Sequence, residues 1–414
     1  MRVRPLAVTG AACALLLSAC GGGDSGDGAD QVTAPEEASG SIVLSGWAST
    51  PAESKLLQQA LDQFKAKYPK VTVDYQPVSG DYPQAMLAKF SARQPPDVFY
   101  FNPENGQDWI KQQLVEPLDD YVAKAKFDTS KFLPNINEGF KGAKDGKLYG
   151  LSKDFSPLAM YANTDMLKQA GVTTPPATWE ELRAAAQKIK VPGGSAICLS
   201  PDWARALAFV YQNGGELFSA DLKSVNVDTP ETKEALDYYV GLVHDGLAEM
   251  PTKLGAGWCG EALGKGKAAI VFEGNWLVPP MKSDFPKINY AIYPMVKGKQ
   301  AGNIYFTNAY SMAADSKNKN AAWTLIQYLT GPEGMKTWTS GGLALPSRSD
   351  VQAQPGLEVF TAEAEAARPW VFPPGFSNVR TVMGNELTSA MEGKTSVEDA
   401  VKKVDDVAQA ALSK

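Results

Sequence analysis

Ile42-Val43-Leu44-Ser45-Gly46-Trp47, Val71-Thr72-Val73-Asp74-Tyr75 and Asp97-Val98-Phe99-Tyr100-Phe101 are three short apolar runs separated by stretches of helical periodicity. Each is too short for a buried helix and rich in β-branched or aromatic residues, so each reads as a strand. Between the first two, Leu56, Leu57, Ala60, Leu61 and Phe64 recur on one helical face. Thr50-Pro51-Ala52-Glu53 opens that helix with a capping box and a proline at the first helical position. Ala85 to Ala92 supplies the second helix. Strand, helix, strand, helix, strand is the order of a parallel sheet wrapped by helices, so the fold class is α/β.

The same alternation resumes further along. Leu158-Ala159-Met160-Tyr161, Ala196-Ile197-Cys198-Leu199 and Ala268-Ala269-Ile270-Val271-Phe272 read as strands. Thr178-Trp179-Glu180-Glu181 opens a helix with a second capping box, and helices cover Trp203 to Gln212, Pro230 to His244 and Ala321 to Leu329. Ser396 caps a helix that closes the chain. At 414 residues the sequence exceeds the size at which one core stops growing, so two lobes are expected.

Upstream of the first strand the composition changes. Arg2 and Arg4 precede an apolar run from Leu6 to Leu17, the length of a signal-peptide core and too short to span a bilayer. It ends in Leu17-Ser18-Ala19-Cys20, which resembles the bacterial lipobox, where the cysteine thiol takes the lipid and the chain is cut before it. An ordinary secretory signal with a chance cysteine is the alternative. Residues 1–19 then leave, and 20–40, rich in glycine and acidic residues, form a flexible tether. Cleavage takes Lys plus Arg from 40 to 38 against 46 Asp plus Glu, a mature net charge near −8. With no basic stripe, a nucleic-acid partner is excluded. No later run is long enough to cross a membrane, so the lipid on Cys20 is the expected anchor.

Cys198 and Cys259 remain once the lipid cysteine is set aside, and in an exported chain they read as one disulfide, two buried thiols being the alternative. The single histidine, His244, next to a helix end, reads as structural, and no metal or cofactor is called for.

Taken in order, Pro96-Asp97-Val98, Leu148-Tyr149-Gly150-Leu151, Pro157 to Leu167, Thr178 to Leu182, Phe272-Glu273-Gly274-Asn275-Trp276, Ala321 to Thr330 and Leu345-Pro346-Ser347-Arg348 resemble the bacterial extracellular solute-binding proteins of family one, the maltose-binding-protein-like group serving ABC importers. The resemblance implies a two-lobed periplasmic-binding-protein-like fold. Each lobe would be a mostly parallel sheet flanked by helices, and crossing hinge segments would join them. One lobe would hold 41–153 and 308–346, the other 154–307 and 347–414. A ligand clamped between them would shift the population toward the closed form. The implied setting is extracytoplasmic, as a lipid-anchored monomer that delivers its ligand to the importer's transmembrane subunits.

Sugars present hydroxyls at the ring edge and C–H patches on the faces, so a sugar site needs aromatic plates and planar polar groups. The resemblance puts Trp47, Asn102 and Asp154 on the cleft, with Asp202, Trp203, Glu273 and Trp276 at strand ends, where open α/β sheets hold ligands. Arg348, Trp370 and Phe372 would come from the returning C-terminal segments. Trp276 is the best match to the stacking position; Trp179 and Trp323 read as core, and Asp202 has a second reading as a helix cap. The rival is a tethered glycoside hydrolase using two of Asp154, Asp202 and Glu273 across a scissile bond; a tethered adhesion protein is a third. Within the binding reading, a di- or oligosaccharide is favoured over glycerol phosphate or a polyamine. Glycerol phosphate wants several cations, and a polyamine wants a dense acidic cleft with few plates.

Overall fold

The computed structural model describes residues 32–47, 51–219 and 221–413. The signal segment, Cys20 and the Thr50 cap lie outside the described residues. The chain is already against the body at Thr33, whose amide donates to Asn320 Oδ1, and Ala38 is buried.

The strands are β1 (Gly40–Trp47), β2 (Val71–Val78), β3 (Val98–Phe101), β4 (Leu151–Asn163) and β5 (Ser195–Cys198). They continue with β6 (Ala248–Glu249), β7 (Ala268–Gly274), β8 (Tyr290–Tyr293), β9 (Asn303–Met312) and β10 (Ala367–Pro369). Their order is β2-β1-β3-β9-β4-β7-β5-β6, with β10 on β9 and β8 on β4. β2, β1 and β3 run parallel at one end, and β7, β5 and β6 run parallel at the other. The two ends are joined by antiparallel pairing of β9 with β3, of β4 with β9, and of β4 with β7. The sheet is therefore mixed: parallel where helices alternate with strands, antiparallel where the chain crosses.

β4 makes the crossing. All 13 of its residues are buried, and it pairs with β9 from Leu151 to Pro157, then with β7 from Leu158 to Ala162. Pro157, which has no N–H to give a ladder, sits where the partner changes. A bulge between Ser152 and Asp154 leaves Lys153 out of the register. Two apolar clusters flank this crossing. Phe64, Phe99, Trp323 and Leu345 belong to the first, and Leu182, Phe209, Val240 and Val401 to the second.

Side-chain caps start many of the helices. Asp81, Asn102, Asn163, Asp202, Thr229 and Ser396 each accept a backbone N–H from the first turn that follows. Thr178 caps Glu181 as its spacing suggests, but the Glu181 carboxylate reaches back to the amide of Ala177, one residue upstream of the expected one. The helices Trp203–Gln212 and Pro230–His244 have the bounds expected from the periodicity. Cys198 and Cys259 are joined by a disulfide, their Cα atoms 5.4 Å apart. His244 Nε2 lies 3.0 Å from the carbonyl oxygen of Ala390, a structural contact at its helix end.

Candidate functional site

The parallel strands of the two sheet halves end on a common cleft. β1 ends in Trp47, whose ring meets Tyr82 and Tyr100 edge-on at centroid distances of 5.4 and 4.9 Å. Gly46 makes this possible, because a Cβ there would lie 2.6 Å from the Tyr100 ring. Asn102 follows β3 and caps the helix Pro103–Lys111 with its side-chain oxygen, 3.1 Å from the amide of Asn105. Trp47, Asn102, Pro103 and Glu104 form one wall of a cavity of about 270 Å³; Phe306, Thr307, Asn308 and Trp370 complete it. A more open groove of about 580 Å³ adjoins it, sharing Asn102 and Glu104 and reaching Arg380.

A second cluster, joined to this cavity through Phe306, is built around Arg205. Its guanidinium donates to Asp202 at 2.5 Å and to Glu273 at 2.8 Å. It also lies 5.7 Å from the ring centroid of Trp276 and 5.6 Å from that of Phe306. Glu273 accepts a second bond from the Trp276 indole at 3.2 Å, and Trp276 meets Phe306 edge-on at 5.3 Å. Phe306 thus links the Trp276 wall to the cavity. Gly274 is required for the turn: any Cβ there would stand 2.2 Å from the Trp276 ring.

Burial pushes the Glu273 carboxyl up, against the pull of Arg205 and the Trp276 indole. Burial would lower the Arg205 guanidinium, but Glu273 and Asp202 outweigh it and hold it above its usual value. Burial also raises Glu104, against Arg380, while Asp202 across the cleft raises it further. The two arginines nearest the cleft are therefore already paired to carboxylates. Such a site offers rings, amides and neutralised charge, which suits a ligand that carries many hydroxyls and no phosphate.

Of the residues singled out from sequence, Trp47, Asn102 and Trp370 share the cavity, and Asp202, Glu273 and Trp276 share Arg205. Asp202 also caps the helix Trp203–Gln212, 2.7 Å from the amide of Ala204, so both readings of it hold geometrically. Trp203 is buried at the start of that helix, its indole N–H without a partner. Phe372 is fully buried and supports Trp370 edge-on at 4.5 Å. Asp154 is buried behind Tyr100, accepting from Trp338 at 2.8 Å and from Lys153 at 2.6 Å. Arg348 is elsewhere: both its bonds of 2.8 Å go to Asp350, and it lies against Phe127 and Phe132. Trp179 and Trp323 are buried in the two clusters.

Glu104, Arg205, Phe306, Asn308 and Arg380 were not foreseen. Arg205 stands three residues after Asp202, a helical spacing that brings side chains together and could have flagged it. Arg380 has no local signal. A larger cavity, about 630 Å³, opens beside the helix Val278–Ser283, but Tyr290 is the one ring in its lining and no parallel strand ends there. Among the described residues no group of three or more His, Cys, Asp or Glu could hold a metal, and no helix is long and apolar enough to cross a membrane.

Residues 47–336 match the sequence model of a family described as bacterial extracellular solute-binding protein. A putative binding protein of Brucella abortus is 27% identical over 370 residues, covering 85% of this chain and 88% of its own. An ABC substrate-binding protein of Listeria monocytogenes, solved in complex with cycloalternan, aligns with a TM-score of 0.81 at 22% identity, over 90% of this chain and 99% of that one. UgpB of Mycobacterium tuberculosis, solved with glycerophosphocholine, aligns at 0.79 and 17% identity, over 91% and 99%. At these identities the two structures share the fold and take chemically different ligands.

Proposed function

This chain belongs to the bacterial extracellular solute-binding proteins, and from that premise we propose that it captures a neutral di- or oligosaccharide for an ABC importer without altering it. The observation that carries the sugar reading is the cavity shared by Trp47 and Trp370, edged by Asn102 and Asn308 and free of an unpaired cation. Rings take the faces of a pyranose, and amides take its hydroxyls. A glycerol phosphodiester, the ligand of the UgpB complex, would need positive charge, yet Arg205 and Arg380 are each neutralised by a carboxylate.

The two lobes would be the two sheet ends, 41–153 with 308–346 and 154–307 with 347–414, moving about the β4 and β9 crossing. The hydrolase reading is disfavoured by the occupation of its carboxylates. Asp202 and Glu273 hold the same guanidinium, and Asp154 is tied to Lys153 and Trp338. A panel of neutral sugars, polyol phosphates and polyamines, read by thermal unfolding, tests the ligand class. A neutral oligosaccharide is expected to raise Tm most, since a ligand at 100 times its Kd adds about 2.7 kcal/mol. A phosphate or a polyamine as the sole stabiliser would reverse the reading.

We further infer that Cys20 carries the lipid and that the protein works at the outer face of the cell membrane as a monomer. Cys20→Ser is expected to move the protein from the membrane fraction to the soluble one. Retention of the variant on the membrane would overturn this.

A further inference from the structure

The walls of the cleft touch each other at a point that the ligand reading uses only for its neutralised charge. One face of the helix Pro103–Lys111 presents Glu104, Asn105 and Asp108 to the segment 370–381. Arg380 donates to Glu104 Oε2 at 2.5 Å and to Asn105 Oδ1 at 2.7 Å, and the amide of Gly375 donates to Asp108 Oδ1 at 2.6 Å. The Arg380 guanidinium also lies 5.5 Å from the ring centroid of Phe372, which in turn supports Trp370. Trp370 and Glu104 line the same cavity. Glu104 therefore holds, from the other side of the cleft, the arginine that backs a cleft plate through Phe372.

We propose that Arg380 is a positioning residue: paired with Glu104, it fixes the Trp370 plate over the cavity through Phe372 and fastens the two walls together, so that sugar affinity runs through an arginine outside the cavity. This rests on the sugar-binding reading for its ligand, while the fastening itself does not. Arg380 lines the outer groove and is not among the residues lining the inner cavity, so its removal takes away no plate and no hydroxyl partner. The guanidinium keeps 19% of its side-chain exposure and Glu104 keeps 35%. The pair is thus partly screened, which puts the expected loss at about tenfold in affinity rather than the larger loss of a fully buried pair.

The test compares wild type with Arg380→Met, Arg380→Lys and Asp108→Ala. Small-angle scattering without ligand reads the separation of the walls, and calorimetric titration with maltotriose, or with whichever neutral sugar stabilises wild type most, reads affinity. Arg380→Met is expected to enlarge the radius of gyration and weaken binding about tenfold, while Arg380→Lys, which keeps the ion pair, stays close to wild type. A purely structural residue would show no such rescue. A folded Arg380→Met with wild-type scattering or wild-type affinity overturns the proposal. Should Arg380→Met fail to fold, Asp108→Ala decides, a smaller change in the same direction being expected and wild-type behaviour contradicting it. If wild type binds no sugar, the ligand reading fails and ligand-free scattering alone decides the fastening.

Discussion

At the scale of single residues, the cleft depends on close approaches that a sequence hides. Trp276 is the instance with the clearest consequence. Its indole is held by Glu273, its ring faces Phe306 and Arg205, and its backbone bend tolerates only a hydrogen at position 274. Trp276→Ala is expected to weaken sugar binding by about 1–3 kcal/mol, the scale of a lost aromatic plate, with little change in unfolding. Gly274→Ala should reproduce much of that loss with the ring still present, because the added methyl pushes it aside. Titration of both variants checks this; wild-type affinity in Gly274→Ala would mean that the ring's placement is immaterial. Among the candidates, Asp202, Glu273 and Trp276 could be proposed from strand ends, while Trp47, Asn102 and Trp370 came from the family resemblance. Arg348 was misplaced for a physical reason. The family resemblance of Leu345-Pro346-Ser347-Arg348 put it on the cleft, and nothing local says that Asp350 takes both of its donors. Arg380 was invisible, since its partners, Glu104 and Asn105, lie 276 and 275 residues away.

Among the elements, legibility follows the locality of the forces. Caps and apolar stripes are written within one helical turn, and helices such as Trp203–Gln212 start and stop where those signals say. β9 was missed although it is ten residues long, because its tyrosine, threonine and asparagine residues dilute the apolar pattern of a crossing strand. The antiparallel crossing followed the same rule: pairing partners far apart in sequence leave no local trace. The disulfide is an element-scale constraint that the count of cysteines in an exported chain pointed to. It ties the end of β5 to the start of the helix Cys259–Gly264 across a separation of 61 residues. On the chain-entropy scale, closing a loop of that size stabilises by about 4 kcal/mol. Thermal unfolding with and without reductant, and of the Cys198→Ser/Cys259→Ser double variant, should therefore show a Tm lower by several degrees; an unchanged Tm would mean that the bond contributes nothing.

For the whole molecule, the two parallel sheet ends and the antiparallel crossing between them are the frame on which the proposed ligand capture rests. Size and the alternation of strands and helices announced two lobes, whereas the fastening between them emerges only from the folded chain. Rings and amides around the cavity, with Asp202, Glu273 and Glu104 each already bonded to an arginine, predict retention of the ligand without conversion. Native mass spectrometry of the chain lacking residues 1–19, incubated for hours with a mixture of neutral oligosaccharides, tests that directly. The predicted result is one intact oligosaccharide per chain, lost on Trp370→Ala, with the composition of the free mixture unchanged. Shortened sugars in solution, or a chain that stays bare while anions or amines bind, would contradict it.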